Sequence, residues 1–600
     1  MRTMIQTTAL CMLAGSVLAQ TPAPIPIACP AVALPIPSGP NERPGEKLNQ
    51  PKTPEEYGIE QDYRWIHSST NLQGNAATEK FAPCLFYNPR DHDLFTQLNG
   101  FQSAFVINNP TGNGPANVRV QLYNRNGVLV TTLSRTLQPN ETWNRGVPEL
   151  ASLANGVGSA RIVSDVPVVG STLHHVDSVV IGGNRLVDMH PLRPGANSQQ
   201  QLQMAQDVGV NLYAGPMPLT NRTSFDFLNG NLPFYCVRNT AATPTNITAY
   251  KGTSSGISLP TITTTLPGNG MFIDLSLWQA TEPFYLSNTS IDENAWAWVT
   301  SDRHSLVGDL ILTDFFRYGS PSNPQMSPGK RFRMGSAMMA NSPSYNVTSA
   351  EVTQQLGPVG PQLDTMIGVL NASTTNIGPV TVTYRNRDGA VVGTNVIPSL
   401  AAGDTLRLTP GTPGFPAAPF FAGWADVRAC KPGLVGWTMR EVTDNTSPNP
   451  HFEKAYGEEL AGANGREPGE GMRVVVAGQQ VRRKVVSFAR RQTSLPWPSY
   501  HTFANNTVSN IGNYWHRFHD LPGNDITDYT DQPFLGLQFG RTSFTYQDGF
   551  VNSLVLPGIG NMSGRVDVTN GSVIGMSAIG DPMNEWLIPG YAGTPLGSGQ

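Results

Sequence analysis

Apolar side chains recur at every second position through much of this chain, and the runs are short. In residues 118–124, Val118, Val120 and Leu122 alternate with Arg119 and Gln121, and apolar positions resume at Val128 and Val130 after Asn126-Gly127. Residues 380–392 repeat the arrangement with Val380, Val382 and Tyr384, turning at Asp388-Gly389. A period of two marks a strand with one buried face, because successive side chains point to opposite sides of a sheet. Asn-Gly and Asp-Gly accept the positive φ of a type I′ turn, so both segments are expected to be hairpins of that kind. No long stretch keeps the 3.6-residue period of a helix, and the fold class expected is all-β.

A longer period overlies the short one. A strand ending in asparagine occurs at Val106-Ile107-Asn108, Val237-Arg238-Asn239, Val369-Leu370-Asn371 and Phe503-Ala504-Asn505, at intervals of 131, 132 and 134 residues (239 − 108, 371 − 239 and 505 − 371). An apolar pair ending in glycine follows each: Val168-Val169-Gly170, Leu306-Val307-Gly308, Leu434-Val435-Gly436 and Val573-Ile574-Gly575. The hairpin glycines Gly127 and Gly389 lie two such periods apart. Self-similarity at a fixed period means repeated structural units. The expected organisation is a signal peptide at 1–19, a Pro-rich extended spacer at 20–57, and four tandem β-sandwich modules at 58–200, 201–325, 326–465 and 466–600, strung as a rod with few contacts between neighbours.

Composition fits many turns and no helices, with 60 Gly, 50 Pro and only 14% charged residues. Arg2 followed by an apolar run from Ala9 to Leu18, with Val17-Leu18-Ala19 before Gln20, is the pattern of a cleaved secretory signal. Ser16 stands where a lipoprotein signal would need cysteine, and no later segment is apolar for long enough to span a bilayer. The net charge of −4 and dispersed Lys and Arg argue against a nucleic-acid partner. The one basic run, residues 479–492, reads as a solvated edge strand.

Candidate chemistry is sparse. Export permits disulfides, yet Cys29, Cys84, Cys236 and Cys430 are scattered, with no CxxC pair. Cys29 with Cys84 could staple the spacer to the first module, while Cys236 and Cys430 read as small buried apolar residues, with intermolecular links the alternative. Glycosylation sequons stand at Asn140, Asn221, Asn246, Asn288, Asn346, Asn371, Asn445, Asn505, Asn561 and Asn570, and their use requires surface positions. Residues 252–256 match G-x-S-x-G, but flanking strand patterns make Ser254 a turn residue rather than a nucleophile. His516, His519 and Asp520, then Asp525, Asp528 and Asp531, read as a solvated acidic loop; calcium held by Asp525, Asp528 and Asp531 is the alternative. His174, His175 and Asp177 fall on a strand that points the two imidazoles apart. No catalytic or cofactor-binding residue is assigned.

The runs "FVINNPTGNGPANVRVQLYNRNGVLV", "LQPNETW" and "GSARIVSDVPVVGS", with "GVLNASTTNIGPVTVTYRNRDGAVV" in the third module, resemble the immunoglobulin-like or fibronectin-like sandwich repeats of prokaryotic cell-surface and S-layer-associated proteins. The second module follows the pattern more loosely, and the fourth departs in its middle. The resemblance implies an extracellular structural or adhesive role and carries over no catalytic residues. The function expected is therefore a non-enzymatic component of a surface layer, filament, sheath or adhesin, with partners among its own copies, other surface components or glycans. The alternative is an extracellular carbohydrate-binding protein or hydrolase accessory. A third reading assembles a hydrolase site between modules.

Overall fold

The computed structural model describes residues between Ile66 and Gly580, apart from internal stretches of which the longest are 88–100, 195–211, 217–231, 253–261, 275–295, 314–333, 336–344 and 547–559. Residues 1–19 and 20–57, expected as signal peptide and spacer, lie outside the described residues. The named elements are all strands and all pair antiparallel, so the all-β expectation holds. Among the described residues no helix is long and apolar enough to cross a membrane.

One strand order recurs four times. The first hairpin sheet runs Leu129–Leu137, Ala116–Asn124, the first half of Gly156–Ser178, then Ala77–Tyr87; its facing sheet runs Thr142–Arg145, Phe101–Asn108, the second half of Gly156–Ser178, then Gly183–Pro191. The second hairpin sheet is Ile262–Leu266, Thr245–Gly252, Trp296–Ser301 and Leu212–Pro216, and its facing sheet Met271–Asp274, Leu232–Asn239, Leu306–Thr313 and Met334–Gly335. In the third, Val391–Ile397, Val380–Asn386, Phe421–Ala429 and Asn346–Gln354 face Thr405–Leu408, Pro361–Asn371, Leu434–Asp444 and His451–Glu459. In the fourth, Phe534–Leu537, Ile511–Asp520, Gly560–Val568 and Gln479–Arg491 face Thr542–Tyr546, Ser499–Asn505, Val573–Gly580 and Ile66–Asn71.

The alternation read from the sequence decides which face is buried. Val118, Val120, Leu122, Ala160 and Ile162 of the first hairpin sheet meet Phe105, Ile107 and Trp143 of its facing sheet in one buried cluster. Corresponding clusters hold Val380, Val382 and Tyr384 with Ile367 and Val369, and Tyr514, Phe518 and Val566 with Phe503. Full burial of one such aliphatic or Phe side chain contributes about 1.5–3 kcal/mol. The two repeated sequence markers prove to be neighbouring strands, with Asn239 opposite Leu306, Asn371 opposite Leu434 and Asn505 opposite Val573.

Three expectations need correction. The turns at Gly127 and Gly389 are not type I′: only the glycine has positive φ (79° and 85°), and Gly127 N–H donates to Asn124 O as Gly389 N–H does to Asn386 O. That is a three-residue loop ending in a left-handed glycine, with a register shift in the following strand pair. Residues 479–491 are not an edge, because the strand lies between Met472–Val476 and Gly560–Val568 and buries Arg483 and Lys484.

The third correction concerns the rod. Each facing sheet lies on the hairpin sheet of the preceding pair, and the first facing sheet lies on the fourth hairpin sheet, so the series closes on itself. Strand Ile66–Asn71, expected in the first module, pairs with Val573–Gly580 in register Ser69 to Ala578 and Asn71 to Met576. In the other three pairs this place is filled by the strand that comes next in the chain. The four strands so placed, Ile66–Asn71, Gly183–Pro191, Met334–Gly335 and His451–Glu459, run beside one another.

Candidate functional site

The polar chemistry of the described residues concentrates where the sheet pairs meet. Between the first and second pairs, Cys84 of Ala77–Tyr87 is disulfide-bonded to Cys236 of Leu232–Asn239, with Cα atoms 5.9 Å apart. Beside the bond, the buried Arg238 guanidinium lies 5.1 Å from the Phe81 ring centre and 4.6 Å from that of Tyr123. Burial lowers its pKa to about 9, so it stays charged at neutral pH against the ring faces. Met271 N–H donates to Arg125 O at 3.0 Å, and a Cβ on Gly127 would collide with the carbonyl oxygen of Gly268.

The contact between the fourth and first pairs repeats this geometry. Thr142 N–H donates to Leu521 O at 2.8 Å, the counterpart of the Met271 bond. Gly523 stands where Gly127 does: a Cβ there would lie 2.7 Å from Pro139 O and 2.8 Å from Glu141 N. The turn residues received there, Asn140 and Asn269, both have positive φ, at 62° and 58°. The side chains differ. Arg483 grips Asp567 through Nε and Nη2 at 2.6 and 2.9 Å, and its Nη1 donates to Pro110 O across the seam at 2.5 Å. Arg565 donates to Asn140 Oδ1 at 2.7 Å and sits 3.4 Å from Asp567, while Ser171 and Ser487 hydroxyls meet at 2.7 Å. Between the second and third pairs the seam is apolar, with Trp296 and Val299 packed with Met366, Leu370 and Trp437. These shared cores and bonds overturn the expectation of few contacts between modules.

Inside the fourth pair, His501 and His516 lie in the core, Nδ1 to Nε2 at 3.0 Å, beside the rings of Phe503 and Phe518. Burial pushes His501 down to about 3 and His516 well below its ordinary value, so both are neutral near pH 7. His519, on the opposite face of the same strand, is lowered to about 3 by burial and by the Arg565 charge. The expected solvated loop is therefore a strand, Ile511–Asp520, ending in a turn that Asp520 caps through Asn524.

The other candidates are placed as follows. Asp525 is exposed, but its carboxylate accepts from Arg517 at 2.6 Å and from Thr527 N–H and Oγ1 at 3.0 and 2.5 Å. Asp528 and Asp531 lie outside the described residues. Among the described residues no three His, Cys, Asp or Glu side chains come together as metal ligands. Glycan transfer needs a reachable amide nitrogen, which removes Asn346, Asn371 and Asn505 as candidates in the folded chain, since all three are buried. Asn140 is committed to the seam with Arg565, Asn246 is exposed and donates to Asp302, Asn570 is exposed, and Asn561 lies in strand Gly560–Val568. Asn221, Asn288 and Asn445 lie outside the described residues. So does Ser254, between the paired strands Thr245–Gly252 and Ile262–Leu266. His174 bonds Ser103 Oγ at 2.8 Å, and a register shift separates it from His175. Cys236, read as a buried thiol, is bridged, and Cys430 is disulfide-bonded too.

No protein-family model and no curated protein matches the chain. Among solved structures, the Thermotoga maritima protein 1070 is 17% identical over 20% of this chain and 94% of its own, with a TM-score of 0.16. Bacteroides uniformis beta-glucuronidase 2 is 12% identical over 44% of this chain and 26% of its own, with a TM-score of 0.10. The T13 particle of infectious bursal disease virus (IBDV) gives 8% identity over 80% and 78%, with a TM-score of 0.09. Likenesses this weak carry no functional argument.

Proposed function

We propose that the chain is an exported, non-enzymatic structural protein of the cell surface, built of four immunoglobulin-like β-sandwich modules closed into a ring, which assembles with further copies or with other surface components. The observation that supports this reading is where the uncommon side chains are spent. Arg238, Arg483, Arg565, Asp567 and the Cys84–Cys236 bond all lie at seams between sheet pairs, where they hold one large body together. A disulfide accords with an oxidising compartment and hence with the signal sequence read at 1–19. Ser254 is not a nucleophile in this reading, and Asp525 is a turn carboxylate tied to Arg517.

Electron microscopy of the purified mature protein tests the proposal. Closed four-lobed particles that join into sheets or filaments as concentration rises are expected. Particles that stay single while binding one class of glycan would favour the carbohydrate-binding alternative, and hydrolysis abolished by Ser254→Ala would end the non-enzyme reading.

A further inference from the structure

The chain has five cysteines, at positions 11, 29, 84, 236 and 430. Cys84 and Cys236 are bonded to each other, and Cys430 is disulfide-bonded as well, in a structure that holds a single chain. The partner of Cys430 is therefore Cys11 or Cys29. Cys11 falls in the apolar run read as a cleaved signal, so in an exported chain that starts at Gln20 only Cys29 remains. The place of Cys430 suits a partner from outside its own sheet pair. It follows the last residue of Phe421–Ala429, is half-buried, and opens the turn Lys431-Pro432-Gly433 into Leu434–Asp444.

We propose that Cys430 is bonded to Cys29, so that the chain between Cys29 and Ile66 is a strap, fastened covalently to the third sheet pair and ending in the strand that completes the fourth. The inference goes beyond the structural reading above and rests on it only for the removal of residues 1–19. The two anchor points lie on pairs already in contact. Ala429 N–H donates to Tyr345 O at 2.8 Å, and Asn346–Gln354, which begins there, lies on Ser499–Asn505 and Val573–Gly580 of the fourth facing sheet. Val573–Gly580 in turn carries Ile66–Asn71. The reach is ample: 37 residues (66 − 29) separate Cys29 from Ile66, and a Pro-rich segment can span up to about 115 Å at ~3.1 Å per residue, against ~4.8 Å between neighbouring strands. The strap ties the third pair to the fourth as Cys84–Cys236 ties the first to the second. Its closure is a two-electron exchange with a thiol oxidase or small-molecule disulfide of the oxidising compartment. One cysteine thiolate attacks the donor disulfide and releases a donor thiolate; the other then displaces the second, and the donor leaves as two thiols carrying the two protons the cysteines lose.

The test is peptide mapping by mass spectrometry of the full chain, exported, alkylated in denaturant and digested without reductant. The expected result is a Cys29 peptide joined to the Cys430 peptide, Cys84 joined to Cys236, and no alkylated cysteine. Cys29→Ser should then free one thiol, that of Cys430, and Cys430→Ser only that of Cys29. Alkylated Cys29 and Cys430 beside an intact Cys84–Cys236 bond overturn the strap and leave the exported reading standing. A Cys430 peptide joined to Cys11 overturns both the pairing and the removal of residues 1–19. A doubled mass without reductant that Cys29→Ser abolishes places the bond between two copies and overturns a strap within one chain. Four free thiols overturn the strap and the oxidising compartment together.

Discussion

The repeated asparagine works by closing the turn that follows its strand. Asn371 Nδ2 donates to Thr375 O at 2.8 Å and Leu400 O at 3.0 Å, while its Oδ1 accepts from Ser373 N–H and Oγ. Asn239 does the same with Thr243 O, Pro267 O and Ala241 N–H. In the first copy the role belongs to Asn109, bonded to Gly114 O and Leu137 O, and not to Asn108, which donates to Thr142 Oγ1 and reaches Ser563 across the seam. Each such bond contributes about 1 kcal/mol, and the carbonyls of Leu400 and Leu137, which would lose their partner, belong to buried residues. Asn371→Ala is therefore expected to cost about 2–3 kcal/mol in urea unfolding, and Asn109→Ala a similar amount. Titration gives a second residue-level prediction. His501 and His516 bind protons more readily unfolded than folded, so their contribution is complete above the unfolded value near 6.5 and is lost progressively as pH falls below it, for His501 down to about 3. His516→Gln keeps a hydrogen-bonding group without an ordinary titration. It should flatten the fall in stability between pH 6 and 4 by about 1.4 kcal/mol per pH unit, and an unchanged slope would assign acid sensitivity elsewhere.

At the level of elements, the hairpin turn shows what the sequence made legible and what it hid. Alternation and Asn-Gly or Asp-Gly located the first and third turns, because both signals act within a few residues. The fourth escaped notice, since Leu521-Pro522-Gly523 lacks that dipeptide, yet it forms the same bonds, Gly523 N–H to Asp520 O and Asn524 N–H to Asp520 Oδ1. Its spacing was the available signal: Gly523 follows Gly389 by 134 residues (523 − 389), as Asn505 follows Asn371. Arg238, Arg483 and the His501–His516 pair were not legible, because their partners come from strands that only the fold brings together. The seam makes Gly523 a separable test. Its φ of 99° disfavours any L residue, and a Cβ would also strike Pro139 and Glu141, whereas Gly478, with φ 80°, has open space around it. Both Gly→Ala changes share the backbone strain of about 1 kcal/mol. Gly523→Ala should exceed Gly478→Ala by a further 1 kcal/mol or about that in denaturant unfolding; equal costs would mean that the seam yields freely.

On the scale of the whole molecule, the order of closure matters more than the count of repeats. The first two sheet pairs are joined by a disulfide and the second and third by a shared apolar core, while the fourth facing sheet takes its last strand from Ile66–Asn71, some 500 residues away in the chain. Equal module lengths announced the repeats, but a strand borrowed from the other end leaves no local trace in a sequence. Its removal is the sharpest test of the ring. Residues 68 and 69 are paired in regular register with Ile579 and Ala578, and successive N–H groups point to opposite sides, so one of the two must face Val573–Gly580. Ser68→Pro/Ser69→Pro therefore deletes a ladder bond wherever the register lies, and a cost of about 3 kcal/mol is expected. Hydrogen exchange should show the loss first in Val573–Gly580, then at the seam where Arg483 meets Pro110, with Leu232–Asn239 and Pro361–Asn371 still protected. Uniform loss in all four pairs would show one cooperative body, and unchanged protection of Val573–Gly580 would mean that the strand is no part of the ring.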